Sequence, residues 1–292
     1  MAISAMPPGQ TDPGEVRVPP VPPSAMQRAT GAVRLRLARR AEATVLADLY
    51  QRGCLKLRFP RGPGMEAVLL NTAGGIAGGD RLATHLRLEA GAEAVFSTQA
   101  AERFYRVRPQ DRLGAVRSTV GIGPAARLEW LPQESILFQG AALDRRLSVH
   151  LAADAVFLGV ESLILGRAAM GETVTAGYLR DRIRIQRADR LLLHDTTRLD
   201  GNLAALLARP ALGGGARALA TLLLVQPDAH AHLDGLRETL QAHPEVESGA
   251  SAWDGMLVAR LLARDGAFLR AAVVAGLATL RGGRPLPRVW SC

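Results

Sequence analysis

Five carboxylates set the chemical question: Asp80, Glu134, Glu161, Glu172 and Asp195. Two that faced each other would divide general acid and base work, as in sugar-cleaving β-helix proteins. Carboxylates also hold divalent cations loosely, through exchangeable oxygens. Against both, a charge on an alternating strand usually faces water or pairs with arginine, and sequence does not give the separation of any two. The histidines His85, His150, His194, His230, His232 and His243 form no HExxH and no group with cysteine. No G-x-S-x-G elbow is present, so a nucleophilic serine has no framework. The segment Asn71-Thr72-Ala73-Gly74-Gly75-Ile76-Ala77-Gly78-Gly79-Asp80 invites a phosphate-loop reading, yet it lacks the Lys-Ser/Thr ending and does not satisfy GxGxxG. The better reading is a tight, doubly turned connection whose glycines supply positive φ or admit another backbone, with Asp80 capping the turn or lending a carboxylate to a site.

The elements that must position these groups are mostly strands. From residue 30 to about 225 the dominant period is two: Val33, Leu35 and Leu37 alternate with Arg34 and Arg36, and Leu82, Thr84, Leu86 and Leu88 alternate with Arg81, His85, Arg87 and Glu89. Leu55, Leu57 and Phe59, and likewise Ile183 and Ile185, repeat the pattern. Continuous apolar runs at 155–160, 191–193 and 220–225 predict strands covered on both faces. Turn residues at Gly62-Pro63-Gly64, Gly121-Ile122-Gly123-Pro124 and Gly213-Gly214-Gly215 separate them. The expected body, about 29–226, is a sandwich, a barrel or a β-helical stack of many short strands, without a repeat of fixed length. From about 227 to 292 the pattern becomes helical. Asp228 is placed to cap a helix bearing Leu233, Leu236 and Leu240, a strand is expected over 256–262, and an apolar helix over 267–281 is stopped by Gly282-Gly283.

Composition bounds the partners. The chain has 292 residues and a net charge of +9, with a pI near 10.9, a balance that nominates nucleic acid or an anionic membrane surface. Lys56 is the only lysine, and aromatic residues make up 4%, too few for the stacking platforms of single-strand binders or for a sugar cleft. Cys54 and Cys292 form neither a disulfide framework nor a metal pattern, which points to a reducing, cytoplasmic setting. No transmembrane segment is expected. Residues 1–28 are proline-rich, read as a disordered extension and not as a signal peptide, which leaves 29–292 as one expected domain.

As a set, the residues resemble a known family, the urease accessory protein UreD, also called UreH. The 71–80 segment is followed by Ser97-Thr98-Gln99-Ala100-Ala101-Glu102-Arg103-Phe104-Tyr105-Arg106 and then by Leu128-Glu129-Trp130-Leu131-Pro132-Gln133-Glu134. Next come Gly166-Arg167 with Gly171-Glu172, the 191–195 strand and Leu286-Pro287-Arg288-Val289-Trp290. The resemblance implies a mainly β, β-helix-like stack with two α-helices towards the C-terminus, and a cytoplasmic, non-enzymatic assembly factor. It further implies partners UreF, the GTPase UreG and apo-urease, with no nucleic acid or membrane partner. No cofactor is held tightly, and nickel(II) is in transit along an internal route. Asp80, Glu172 and Asp195 match acidic positions of the family's motifs and are the expected wall residues, with Glu134 and Glu161 less securely placed. The alternatives are a carbohydrate-active β-helix enzyme with paired carboxylates and a basic nucleic-acid binder, which would show a continuous arginine surface.

Overall fold

The computed structural model describes residues 28–167 and 170–291. The proline-rich extension expected at the N-terminus lies almost wholly outside them, as does Cys292. The chain repeatedly crosses between two sheets. One is built in the order β14-β13-β11-β8-β5-β1-β2, from β1 (Thr30–Arg40), β2 (Ala43–Gly53), β5 (Arg81–Leu88), β8 (Gly114–Ile122), β11 (Ala142–Leu151), β13 (Gly177–Arg187) and β14 (Arg190–Gly201). The other runs β16-β17-β15-β12-β9-β6-β4-β3. Its strands are β3 (Leu55–Arg58), β4 (Glu66–Asn71), β6 (Glu93–Thr98), β9 (Arg127–Leu131), β12 (Val156–Leu165), β15 (Ala218–Val225), β16 (Val246–Trp253) and β17 (Met256–Ala263). Two short strands, β7 (Glu102–Phe104) and β10 (Ser135–Leu137), add a third ladder against the end of β12.

In the middle of each sheet the strands are parallel, because successive coils of the chain stack: β1, β5, β8, β11 and β13 on one side, β4, β6, β9 and β12 on the other. This is the β-helix-like stack. In-register partners Arg81, Ala115, Asp144 and Arg180 are spaced by 34, 29 and 36 positions, which is why no fixed repeat is visible in the sequence. Antiparallel strands close the ends: β2 and β14 on the first sheet, and β3 together with β15, β16 and β17 on the second.

The period-two pattern does the folding work. Leu35, Leu37, Leu86, Leu88, Val120, Val149 and Ile185 turn inward from the first sheet and meet Phe96, Leu128, Phe157, Leu223 and Val225 of the second in one core. Leu222 and Leu224, of opposite parity on β15, face a second core under the C-terminal helices. That explains the continuous apolar runs at 155–160 and 220–225. Each buried leucine contributes roughly 1.5–3 kcal/mol over leaving it in water. The 191–193 run departs from expectation: Leu192 is buried but Leu191 is exposed, because β14 is an edge strand with one face in solvent.

The helical part also differs in detail. The two expected helices are present as α2 (Leu233–Gln241) and α3 (Gly266–Leu280), and a further one, α1 (Leu203–Ala208), precedes them among the described residues. The six-residue α1 is too short to show a period in the sequence, although the Asn202 side chain caps it by accepting from the Ala205 N–H. Asp228 caps nothing with its side chain; a 3-10 turn over Ala229–His232 intervenes before α2. The Asp265 side chain caps α3 by accepting from the Ala267 N–H at 2.7 Å, and Gly282 and Gly283 end it with positive φ. Strand β16 was not expected and pairs with β17. No described helix is long and apolar enough to cross a membrane.

Candidate functional site

Strand parity decides which charged groups meet. On β13, Asp181 has the parity of the buried Leu179, Ile183 and Ile185; on β11, Arg145 has that of Leu143, Leu147 and Val149. Both therefore point between the sheets, as do Asp195 from β14, which stands opposite Ile183, and Glu161 from β12. These four, with Thr197, Thr221 and Arg260, line a cleft of about 240 Å³ between the final strands of the two sheets.

Arg145 is its centre. Its Nη1 lies 2.7 Å from Glu161 Oε2 and donates to Ser135 Oγ at 2.8 Å. Its Nε and Nη2 donate to the two Asp181 oxygens at 2.9 and 2.6 Å, a bidentate fork. The Trp130 indole N–H donates to the other Glu161 oxygen at 2.9 Å, and the ring stacks on Phe96 at 4.5 Å, so Glu161 is held at two points. Farther out, Arg260 Nη2 lies 2.9 Å from Asp195 Oδ2. Burial pushes the Glu161 carboxyl up from its ordinary value, and Arg145 opposes the shift. Burial alone would push the Arg145 guanidinium down, but Asp181 and Glu161 outweigh it and hold it above the usual value.

The five acids singled out from sequence do not gather in one place. Glu161 and Asp195 share the cleft; Asp80, Glu134 and Glu172 do not line it. Asp80 is buried and accepts from the Ala29 N–H through Oδ1 and the Ala77 N–H through Oδ2, both at 2.8 Å, so it clamps the start of β1 to the glycine-rich loop. Glu172 accepts from the Gln139 and Arg167 N–H groups and from Arg167 Nε at 2.8 Å; chiefly the last of these holds its carboxyl below the ordinary value. Glu134 accepts from Arg270 Nη1 at 2.6 Å, fastening α3 to the stack. Asp181 was missed, and its signal was present: a lone carboxylate in step with three inward aliphatics.

The glycine-rich segment behaves as the doubly turned connection. Gly74, Gly75 and Gly79 have positive φ, and a Cβ on Gly75 would come within 2.3 Å of the Tyr105 ring. Ile76 is buried against β7, donating its N–H to the Arg103 carbonyl and accepting from the Tyr105 N–H. Beside the loop, Glu102 accepts from the Asn71 side-chain amide at 3.2 Å, and burial pushes its carboxyl up to about 7.

Chemically, the cleft carries three carboxylates and two guanidiniums, with Glu161 and Asp181 bound by the same arginine. A glycosidic acid/base pair needs one proton donor and one free carboxylate facing an open groove; this arrangement supplies neither in that form. Among the described residues, no three His, Cys, Asp or Glu side chains are grouped to hold a metal ion.

A parallel two-sheet coil with an ionic seam between its faces defines a β-helical scaffold whose polar interior is held by arginine. Comparison with known sequences places it further. The profile described as UreD urease accessory protein matches residues 29–291. A urease accessory protein UreD of Methylobacterium sp. (strain 4-46) is 49% identical over 271 residues, covering 90% of this chain and 95% of the relative. One from Methylorubrum populi, named UreD 2, is 48% identical and covers 93% of each chain. A third, from Rhizobium leguminosarum bv. trifolii, is 45% identical over 91% of this chain and 96% of its own. The chain belongs to the UreD family of urease accessory proteins.

Proposed function

We propose that this protein serves urease maturation in the cytoplasm without catalysing a reaction: it joins UreF and the GTPase UreG on apo-urease and gives nickel(II) a route through its interior. Membership of the UreD family carries the reading, and the inter-sheet cleft supports its nickel part. Three acids against two arginines leave the cleft one negative charge in excess within a chain of net charge +9. Oxygen donors exchange a borderline cation far faster than a closed cage of imidazole and thiolate, and a conduit must release its cargo. Nickel entering here competes with guanidinium for each carboxylate, which weakens binding further. The wall is thereby assigned to Glu161, Asp181 and Asp195, while Asp80, Glu134 and Glu172 act as structural clamps.

The test is urease activity in cells lacking the gene. Wild-type protein restores nickel-dependent activity. Asp195→Asn and Glu161→Gln, checked by circular dichroism for intact fold, restore less of it, and the deficit narrows with added nickel. Normal urease activity in the deletion strain would overturn the maturation reading; full activation by a folded double variant would remove the cleft from the nickel route.

A further inference from the structure

The outer face of the first sheet carries a group of arginines that the nickel route does not use. Strand register sets Arg117 of β8, Arg146 of β11 and Arg182 of β13 side by side, where neighbouring strands lie about 4.8 Å apart. Like charges in directly opposed positions destabilise a sheet. One row along, Arg81, Asp144 and Arg180 follow, and on the other side stands the exposed Arg184. Asp144 shows what these cations accept. Arg180 donates to its Oδ2, Arg182 donates to its Oδ1 at 2.7 Å, and Arg117 reaches it at 3.0 Å. That single carboxylate leaves the group in excess: the Arg146 side chain makes no hydrogen bond or ion pair among the described residues, and the buried Nε atoms of Arg180 and Arg182 have no hydrogen-bond partner there. Repulsion, first from Arg182, lowers the Arg146 guanidinium below its usual value. Beside the group, Arg81, Arg112, Arg117 and Asp144 line an open depression of about 490 Å³.

We infer that this face docks an acidic protein surface, with Arg146 and its neighbours receiving aspartate or glutamate side chains of the partner as they already receive Asp144. The inference rests on the maturation reading for the setting in which the partner is met. Guanidinium forks match carboxylates two bonds at a time, and an incoming carboxylate relieves the repulsion along the row. Duplex nucleic acid is the other polyanion to weigh. Against it, the face is a sheet seven strands wide rather than a narrow element that enters a groove. Among the described residues it carries only two rings, Tyr50 and Tyr178, each with an arginine, Arg34 and Arg198, over one side, too few for a stacking platform.

The experiment titrates the full chain with a fluorescent peptide of about ten glutamates and with duplex DNA of about 20 base pairs, each at low and physiological salt. The wild type binds the peptide, and an Arg146→Glu/Arg184→Glu double variant with unchanged thermal unfolding binds it at least about tenfold more weakly. Arg146→Gln falls between them. In the deletion strain the double variant restores less urease activity than the wild type. Equal peptide binding by wild type and double variant overturns the inference, as does tighter binding of DNA than of peptide at physiological salt. Failure of the wild type itself to restore urease strikes the maturation reading, and the peptide titration reads the surface independently of that.

Discussion

Arg145 and Arg146 are consecutive in β11 and live in different physical worlds. Arg145 points between the sheets, where two carboxylates and a serine hydroxyl surround its guanidinium. Arg146 points into water beside two further arginines and makes no ion pair among the described residues. One residue of register separates a charge that must be paired from a charge that is free to recruit. The reason is desolvation. Taking an ion out of water costs several kcal/mol, so an interior ion survives only with counter-ions built around it, whereas a surface ion needs none.

Substitution at the two positions breaks the comparison most directly. Arg145→Met leaves Glu161 and Asp181 buried without their cation and lowers stability by about 3–5 kcal/mol. Arg146→Met relieves repulsion and moves stability by no more than about 0.5 kcal/mol in either direction. Urea unfolding of the two variants beside the wild type decides it: equal losses would mean that Arg145 is solvated, contrary to its packing.

Glu102 sharpens the contrast by showing a sheltered carboxylate with an amide for a partner in place of an arginine. Its folded value of about 7 lies above the ordinary 4.5, so between those limits the folded chain holds a proton that the unfolded chain has released. Stability therefore falls as pH rises from about 4.5 to 7 and levels off above, by at most about 3 kcal/mol from this group. Glu102→Gln should flatten that part of the pH–stability curve; an unchanged slope would show that Glu102 is already ionised at pH 5–6.

Asp144 carries a smaller effect than Arg145 or Glu102. Burial alone would raise its carboxyl, but the hydrogen bonds from Arg180 and Arg182 outweigh it and hold it below the ordinary value. Those arginines and Arg117 all reach solvent. Asp144→Asn should cost about 1 kcal/mol at low salt and less as salt screens the exposed guanidiniums. A salt-independent loss would place this cluster with the interior one.

Much of this was legible in the chain. Alternation at Leu82, Thr84, Leu86 and Leu88 gave a strand and its inward face, and the order of motifs gave the family. For Asp80 the sequence offered both a loop cap and a site carboxylate and favoured the wall of a nickel route; the hydrogen bonds from the Ala29 and Ala77 N–H groups show the cap, a choice that depends on where the start of β1 packs. The separation of Glu134 and Glu172 from Glu161 was not legible, since the contact between Glu134 and Arg270 spans 136 positions and no local pattern carries it. Leu191 was misjudged because an apolar run cannot announce that its strand lies at a sheet edge.

What the sequence determined by itself was period: which side chains share a face, where glycine must admit positive φ, and where the helices begin to dominate. Only the tertiary structure decided which faces oppose one another. The coils have unequal lengths, so the pairing of β11 with β8 and β13 is set by packing across the whole core. That pairing brings Glu161, Arg145 and Asp181 together inside and lines up Arg117, Arg146 and Arg182 outside.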